Sequence, residues 1–376
     1  MYRTVGELIT KAKVEKCGDR ELPILSMTMH DGIMFQGDRF KKQIASVDQS
    51  TYNVVYRNQL VVSFPIDEGV LAVQDITDAG IVSPAYKIWN VDEKKVVPKY
   101  LEAYLRSPHS IQYYKSKLRG TTARRRSITD SDLLEMDIPL PSIEKQRCII
   151  ENIRRVKSMQ DAYNCKMDLL DKLIKARFVE LFGDPSLNTK GYPIKSLSEI
   201  AEYWNGLTYK PEDVADEGTI VLRSSNIQNA QLDFEDTVRV TCSIGEKKYV
   251  QDNDILMCSR NGSARLVGKV ALIKDIEEPM SFGAFMMIIR SQYYPYLMTY
   301  FQMPAFRAQI TTGATTTINQ ITGRMLDNVK LPVPEKTELD NFISFIEKVD
   351  KSKVVVQKAL DETKLLFDSL MQQYFG

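Results

Sequence analysis

Basic side chains are concentrated in one stretch of this 376-residue chain, although the formal net charge of the whole chain is only +1. Between Ala103 and Thr129 there are seven Lys or Arg residues and no Asp or Glu. A second stretch, Pro279 to Leu326, also lacks acidic residues but carries only Arg290, Arg307 and Arg324. Locally unbalanced positive charge attracts polyanions. The pattern favours a polyanion-facing surface in each half of the chain, with a solvated basic loop as the alternative.

Residue types that usually carry catalysis are scarce or wrongly spaced. The two histidines, His30 and His109, have no partner at motif spacing, and the five cysteines form no Cys-x-x-Cys motif. The stretch Gly262-x5-Gly268-Lys269-Val270 comes near a phosphate-binding loop, but it has one spacer residue too many and Val270 replaces the required hydroxyl. Asp75 with Glu93-x-Lys95 only loosely resembles a nuclease constellation. The chain is therefore interpreted as a binding protein, with no metal site.

Composition predicts a globular cytoplasmic protein. Hydrophobic residues make up 43% and charged residues 26% of the chain, which is typical of soluble domains. The longest strongly apolar stretch, Ala284–Ile289, is too short to span a bilayer and predicts a buried strand. The amino terminus has no apolar run of the signal-peptide type, and the scattered cysteines fit a reducing compartment.

An internal repeat indicates which elements position these groups. Several residues of the first half recur 193 positions later, namely Ile128-Thr129, Leu133, Pro139-x-Pro141, Asp168 and Phe182-Gly183 as Ile321-Thr322, Leu326, Pro332-x-Pro334, Asp361 and Phe375-Gly376. Tyr100-Leu101 and Tyr104 recur as Tyr296-Leu297 and Tyr300 at an offset of 196. The constant offset of the first set excludes insertions between the copies. Each half therefore joins a variable region to a segment of fixed length.

The fixed segment predicts a long helix in each copy. Ser142 is placed to cap the first helix, with Glu144 in its first turn, and Thr337-x-x-Asp340 has the spacing of a capping box in the second. Apolar residues then recur in steps of four and three, as in a coiled-coil seam, interrupted by Gln160 and Lys353 at equivalent positions. The residues predicted to pack the two helices are Ile149, Ile153, Val156, Leu170, Ile174, Phe342, Ile346, Val349, Leu360 and Phe367.

The regions before each helix show short β-branched runs bounded by turn residues, followed by helical patterns. Examples are Tyr52–Tyr56, Leu60–Val62 and Gly268–Ile273. The predicted fold class is α+β, with two globular domains of mixed α and β structure. An antiparallel pair of long coiled-coil helices, each a rod of roughly 60 Å, would separate them in a pseudo-two-fold internal repeat.

Three stretches resemble the specificity subunit of type I restriction-modification systems. They are Gly120–Ile128 (GTTARRRSI), Met136–Gln146 (MDIPLPSIEKQ) and Phe178–Asp184 (FVELFGD). The resemblance extends over the whole chain. It implies target-recognition domains at residues 1–141 and 184–334, each followed by a conserved helical spacer, at 142–183 and 335–376. It also implies a sequence-specific DNA-binding protein with no catalytic centre, which recognises a bipartite asymmetric site whose gap is set by the helix pair.

The resemblance further implies partners and cofactors. Two modification subunits, which methylate adenine from S-adenosylmethionine, and two restriction subunits, which use ATP and magnesium, would assemble on the chain and on double-stranded DNA. The chain itself would bind no cofactor and no membrane. The second helix has Leu339 where the first has Gln146. This departure weakens the expectation that the two modification subunits make identical contacts.

DNA contacts are predicted from side-chain chemistry, since phosphates attract Lys and Arg while base edges are recognised by Arg, amide and hydroxyl groups. The candidates in the first half are Lys115, Lys117, Arg119, Arg124, Arg125 and Arg126. Those in the second half are Arg223, Ser225, Asn226, Arg260, Asn261, Arg265, Thr312, Thr315, Thr316, Asn319 and Gln320. For Arg223–Asn226 an ordinary turn is an equal alternative.

Two other functions fit parts of the sequence. The chain could be the DNA-recognition half of a fused restriction enzyme whose catalytic motifs are lost or lie on another chain. It could also be a coiled-coil adaptor that binds two protein partners. Turnover of DNA by the chain alone would favour the first alternative, and the absence of sequence-dependent DNA protection would favour the second.

Overall fold

The computed structural model describes residues 2–29, 32–39, 49–118, 126–311 and 320–376. The chain divides into two compact units. The first consists of residues 1–164 together with residues 357–376, and the second of residues 165–356. Both units contain helices and sheets, as expected for the α+β class.

Two helices are far longer than the others, with 40 residues each. Within the described residues the helices are α1 (Gln36–Arg39), α2 (Pro98–Leu105), α3 (Pro108–Lys117), α4 (Asp130–Leu134), α5 (Ile143–Phe182), α6 (Leu197–Ile200), α7 (Tyr294–Tyr300), α8 (Pro304–Thr311), α9 (Gly323–Asp327) and α10 (Lys336–Phe375). The two long helices, α5 and α10, lie where the repeat predicts them.

The strands of the first unit are short and mostly antiparallel. They are β1 (Tyr2–Thr4), β2 (Ile9–Lys11), β3 (Leu25–Thr28), β4 (Gly32–Phe35), β5 (Asn53–Tyr56), β6 (Leu60–Val62), β7 (Leu71–Val73), β8 (Ala79–Val82), β9 (Lys87–Val91) and β10 (Asp137–Pro139). A four-stranded sheet has the order β2-β9-β6-β7, and β1 pairs with β10, β3 with β4 and β5 with β8. The predicted strand Leu60–Val62 is confirmed.

The second unit repeats this arrangement and adds strands to it. Its strands are β11 (Ile194–Ser196), β12 (Glu202–Asn205), β13 (Val214–Ala215), β14 (Thr219–Leu222), β15 (Ile227–Gln228), β16 (Gln231–Leu232), β17 (Arg239–Val240), β18 (Ile255–Cys258), β19 (Val270–Leu272), β20 (Met280–Phe282), β21 (Met286–Arg290) and β22 (Lys330–Pro332). The sheet β12-β21-β18-β19 has the same order as β2-β9-β6-β7. A second sheet has the order β13-β17-β14-β20, in which β14 and β20 are parallel.

Residues that recur in the sequence have equivalent structural roles in the two units. Thr129 caps α4, because its hydroxyl accepts a hydrogen bond from the Asp132 amide, and Thr322 caps α9 in the same way. The Tyr100 hydroxyl donates to the Pro139 carbonyl at 2.7 Å. The equivalent hydroxyl of Tyr296 donates to the Pro332 carbonyl at 2.6 Å. The repeated residues thus hold each domain to the strand that leads into a long helix.

Segments of α5 and α10 run antiparallel within each unit. In the first unit, the Asn152 amide donates to the Tyr374 hydroxyl at 3.2 Å and the Gln160 amide donates to the Thr363 carbonyl at 3.1 Å. In the second unit, Lys353 Nζ lies 2.5 Å from Asp171 Oδ1. The two polar interruptions of the predicted seam therefore bind the opposite helix, as polar groups that select register do.

The residues predicted to pack the helix pair are all buried or half-buried. Ile149, Val156, Phe342, Val349 and Leu360 are buried, whereas Ile153, Leu170, Ile174, Ile346 and Phe367 are half-buried. The most buried aromatic residues of α5 are Phe178 and Phe182, which were not among the predicted packing residues. Their rings lie 5.8 and 5.2 Å from the ring of Phe342.

The starts of the two long helices test the predicted caps. Helix α5 begins at Ile143, and the Ser142 hydroxyl accepts a hydrogen bond from the Lys145 amide at 3.3 Å, so this cap is confirmed. The predicted capping box at Thr337 is wrong, because α10 already begins at Lys336. Its first turn is closed by the Leu339 amide, which donates to the Glu335 carbonyl at 3.0 Å.

The last aromatic residue of each long helix closes the core of a domain. In the first unit, the Phe375 ring lies 5.4 Å from that of Tyr100 and 5.8 Å from that of Tyr104. In the second unit, the Phe182 ring lies 5.1 Å from that of Tyr296. The end of α10 therefore completes the domain formed by the first half of the sequence.

Candidate nucleic-acid interface

An equivalent loop follows β6 in the first unit and β18 in the second. It spans residues 63–70 and 259–269, and Gly69 and Gly268 near its end adopt φ values of 70° and 77°. In the first unit the Ile66 amide donates to the Arg126 carbonyl at 3.2 Å. In the second, Arg260 forms an isolated antiparallel bridge with Gln320. In both units this loop therefore contacts the residue that follows one of the undescribed segments, 119–125 and 312–319.

The loop after β18 presents a stacked pair at the surface. The Arg260 guanidinium lies 5.3 Å from the centroid of the Phe285 ring, and Phe285 is 59% exposed. The backbone amides of Ser259 and Arg260 and the Ser259 hydroxyl donate to the Phe285 carbonyl, at 2.9, 3.0 and 2.9 Å. These three hydrogen bonds join the loop after β18, which carries Arg260, to the turn before β21, which carries Phe285.

Phe285 was missed as a surface residue. The apolar run Ala284–Ile289 predicted a buried strand, but β21 begins only at Met286 and the residue before it faces solvent. Gly283, which begins the turn before β21, is the sequence signal that the strand starts later than the apolar run.

Two of the predicted loops of the second unit meet. The Asn261 amide donates to the Ser224 hydroxyl at 3.1 Å, which joins the loop after β18 to the turn after β14. Arg265, in the same loop as Asn261, and Gln320, which bridges to Arg260, are both exposed. Arg260, Asn261 and Gln320 thus belong to one surface with the donors and acceptors that base edges require.

The stretch Arg223–Asn226 serves mainly as a structural turn, which was the alternative left open by the sequence. Asn226 is buried, and its amide donates to the carbonyls of Asp233 at 2.8 Å and Asp236 at 2.9 Å. Arg223 Nη2 lies 2.7 Å from Asp236 Oδ1, and Ser225 is half-buried. The predicted DNA contact of Asn226 is therefore corrected, because its polar atoms are already bonded inside the unit.

The basic residues of the first unit have two different environments. Lys115 and Lys117 are exposed in the last turn of α3, where Lys117 Nζ lies 5.8 Å above the Tyr113 ring. Arg126, by contrast, forms ion pairs with Asp67 at 2.9 Å and Glu68 at 2.8 Å. A phosphate contact by Arg126 would compete with these ion pairs, whereas the two lysines are accessible to phosphate.

Seven predicted contact residues lie outside the described residues. They are Arg119, Arg124, Arg125, Thr312, Thr315, Thr316 and Asn319. Their DNA contacts stay predictions.

Two of the three arginines in the acid-free stretch of the second half have partners inside the unit, whereas Arg324 is exposed. Arg290 makes two hydrogen bonds of 2.7 Å to the buried carboxylate of Asp254 and lies 5.0 Å from the Trp204 ring. The hydrogen bonds that Arg290 donates to the Asp254 carboxylate raise the pKa of Arg290. Arg307 donates to the Val267 carbonyl at 2.6 Å, and burial lowers its pKa. Both charges are engaged inside the unit.

The rejected catalytic motifs are not assembled into sites. Asp75 pairs with Lys99 at 3.0 Å, the Glu93 carboxylate accepts from the Asn58 amide at 3.0 Å, and Lys95 pairs with Asp92 at 3.0 Å. Within the described part of the chain, no group of three or more His, Cys, Asp or Glu residues is arranged to hold a metal ion. None of the described helices is long and apolar enough to cross a membrane.

Comparison with known proteins shows similarity to one kind of subunit. The chain is 27% identical to the type I restriction enzyme EcoKI specificity subunit of Escherichia coli (strain K12) over 192 residues, which are 49% of this chain and 40% of that protein. It is 24% identical to the type I restriction enzyme MjaVIII specificity subunit of Methanocaldococcus jannaschii over 282 residues, 66% of this chain and 64% of that protein. Both alignments span less than two thirds of the relative. No protein-family model matches the chain.

Two solved structures share the fold. One, described as showing complex assembly and conformational transition of the type I R-M system, matches with a TM-score of 0.60 and 17% identity, covering 100% of this chain and 97% of that chain. The other is the type I restriction-modification S subunit from M. genitalium, with a TM-score of 0.55, 14% identity and coverage of 100% and 96%. The mixed helix and sheet content predicted from the sequence is shared with both.

Proposed function

We propose that this chain is the DNA-recognition subunit of a type I restriction-modification complex and has no catalytic centre of its own. The observation that carries the proposal is the duplicated unit, in which the same sheet order presents an equivalent surface loop twice. Similarity to specificity subunits supports it. Each unit would recognise one half of a bipartite, asymmetric DNA sequence.

The chemistry of the loops supports DNA as the ligand. Lys115 and Lys117 are placed for phosphate contacts in the first unit. In the second unit Arg260, Asn261 and Gln320 provide guanidinium and amide groups of the kind that recognise base edges. These residues project from loops whose backbone is anchored by hydrogen bonds to the sheet, which limits the entropy lost when DNA binds.

We further propose that α5 and α10 form the antiparallel coiled-coil pair that separates the two target-recognition domains and sets the gap between the half-sites. The antiparallel contacts observed inside each unit support this role. The finer division into domains at 1–141 and 184–334 and helical spacers at 142–183 and 335–376 belongs to the same proposal.

Partner subunits would dock on the outer faces of the long helices. In α10, Val354 and Val355 are 69% and 68% exposed, and Leu365 and Leu366 are 70% and 46% exposed. Large apolar side chains exposed next to one another usually mark a protein interface. We assign this surface to the modification subunits of a cytoplasmic complex. Two modification and two restriction subunits, with S-adenosylmethionine, ATP and magnesium bound to them, complete the proposed assembly.

The exchange of Gln146 for Leu339 does not bear on this docking. Gln146 is 0% exposed, so its side chain contacts the first unit itself. The burial of Gln146 therefore gives no reason, at this position, to expect different contacts with the two modification subunits.

Sequencing methylated adenines tests the proposal directly. The chain is expressed with its modification subunits in a host that lacks other adenine methylation. The expected result is one motif made of two short blocks separated by a gap of fixed length and free sequence. Random or absent methylation, together with no two-block protection of DNA by the complex, would overturn the proposal.

The same material separates the alternatives. DNA cleavage or methylation by the purified chain alone, with magnesium and S-adenosylmethionine, would favour a fused restriction enzyme. Stable assembly with two proteins but without sequence-dependent DNA protection would favour a coiled-coil adaptor.

A further inference from the structure

We propose that Arg260, held over the Phe285 ring, recognises a guanine in the half-site bound by the second unit. This inference rests on the proposed function and names the residue that determines one base of the target. It is drawn from a position that is equivalent in the two units but carries different side chains.

The strand register establishes the equivalence. Val62, the last residue of β6, pairs with Lys87, the first residue of β9. Cys258, the last residue of β18, pairs with Met286, the first residue of β21. Arg260 follows Cys258 by two residues, as Phe64 follows Val62. Phe285 precedes Met286, as Tyr86 precedes Lys87.

Both units have a pair of packed side chains at this position. The rings of Phe64 and Tyr86 meet edge to face at 5.8 Å in the first unit, where the second unit has the Arg260 guanidinium 5.3 Å from the Phe285 ring. A phosphate contact has no dependence on sequence, so both half-sites would favour a basic residue there. A base-reading position is expected to change when the target base changes. The first unit has Phe64 where the second has Arg260, and this difference is the change expected of a position that reads a base.

The geometry suits recognition of a base. A guanidinium held 5.3 Å from the centroid of an aromatic ring has less rotational freedom to lose when it binds a base. The three hydrogen bonds to the Phe285 carbonyl fix the backbone of both partners. Arginine with a fixed plane forms two parallel hydrogen bonds to O6 and N7 of guanine, a pattern that no other base offers in the major groove. Phe64 has no donor and cannot make this contact.

The test uses the complex of the chain with its modification subunits and a set of duplexes in which each base of both half-sites is varied. For Arg260→Ala, discrimination at one guanine of the second half-site should fall by about fivefold to a hundredfold. Discrimination in the first half-site should not change, which also shows that the variant is folded. Phe285→Ala should weaken discrimination at the same base, because it removes the surface that orients the guanidinium.

Lys247→Ala is the control, because it removes an exposed basic side chain of the second unit that lies outside the predicted DNA-contact residues. It should leave discrimination at that guanine unchanged. The inference is overturned if Arg260→Ala lowers affinity equally for all sequences and reduces the salt slope by about one, as loss of a phosphate contact does. It is also overturned if the wild-type second half-site has no position that prefers guanine, even though the target is bipartite. Absence of any bipartite preference would instead overturn the proposed function.

Discussion

Gln146 illustrates how burial determines the role of a single residue. Its side-chain oxygen accepts a hydrogen bond from the Val97 amide at 2.8 Å, and its nitrogen donates to the Pro141 carbonyl at 2.9 Å. The residue thereby connects the start of α5 to the segment that leads into α2. At the equivalent position of the second copy, Leu339 is buried and packs in the apolar core.

We expect Gln146→Leu to lower the free energy of unfolding by about 1–3 kcal/mol, because the Val97 amide and the Pro141 carbonyl lose this buried partner. Denaturant titration measures the change. Arg147→Leu, at the exposed neighbouring position, is the control and should change stability by no more than about 0.5 kcal/mol. A Gln146→Leu protein that is fully stable but fails to bind modification subunits would contradict this assignment.

Tyr104 makes stability depend on alkaline pH. Burial raises the pKa of its phenol to about 12 from an ordinary value of 10.0, so the folded state holds the phenol proton more tightly than the unfolded state does. The stabilisation is complete below about pH 10 and is lost as pH rises through about 12. The thermal unfolding midpoint should therefore fall as the pH is raised from about 10 to about 12. Tyr104→Phe should show a smaller fall, whereas an equal fall in both proteins would contradict the assignment to Tyr104.

At the scale of elements, the long helices do more than connect the domains. Helix α5 ends with Phe182 and helix α10 ends with Phe375, and each of these side chains lies inside a hydrophobic core. Phe375 belongs to the core of the first unit together with Tyr100 and Leu133. Phe182 belongs to that of the second unit with Tyr296 and Leu326. The recurrent Phe-Gly motif is explained by this burial.

Phe375→Ala should destabilise the first unit by about 3–5 kcal/mol, the usual cost of a cavity left by a buried phenylalanine. Unfolding followed by near-ultraviolet circular dichroism reports the loss through the contacting tyrosines. Gln373→Ala, on the exposed face of the same last turn, should be nearly neutral. If the two substitutions have equal effects, the end of α10 does not pack in this core.

For the whole molecule, the proposal makes the long helices the element that sets the distance between half-sites. Insertion of one heptad into each of α5 and α10 adds about 10 Å of helix, which corresponds to about three base pairs at 3.4 Å each. We expect the gap in the methylated motif to lengthen by about this amount while both half-sites keep their sequence. A changed half-site with an unchanged gap would contradict the proposed role of the helices.

The sequence alone determined the duplication, the position of both long helices, the side of each helix that packs and the Ser142 cap. These features depend on residues close together in the chain, since helix periodicity repeats within a few residues and a cap acts within one turn. The constant offset of 193 positions aligned the second copy with the first without further information. The prediction failed locally at the start of α10, which precedes Thr337, and at the start of β21, which follows the beginning of the apolar run.

Only the tertiary structure decided which polar residues are available to a ligand. Arg126 meets Asp67, Arg290 meets Asp254 and Asn226 turns inward, so three of the basic or amide groups that the sequence presented as surface residues have partners inside their unit. Arg260 meets Phe285 instead and stays accessible. Partners of this kind lie up to about sixty residues apart in the chain. Their meeting depends on the packing of whole strands and loops, which local propensity does not encode.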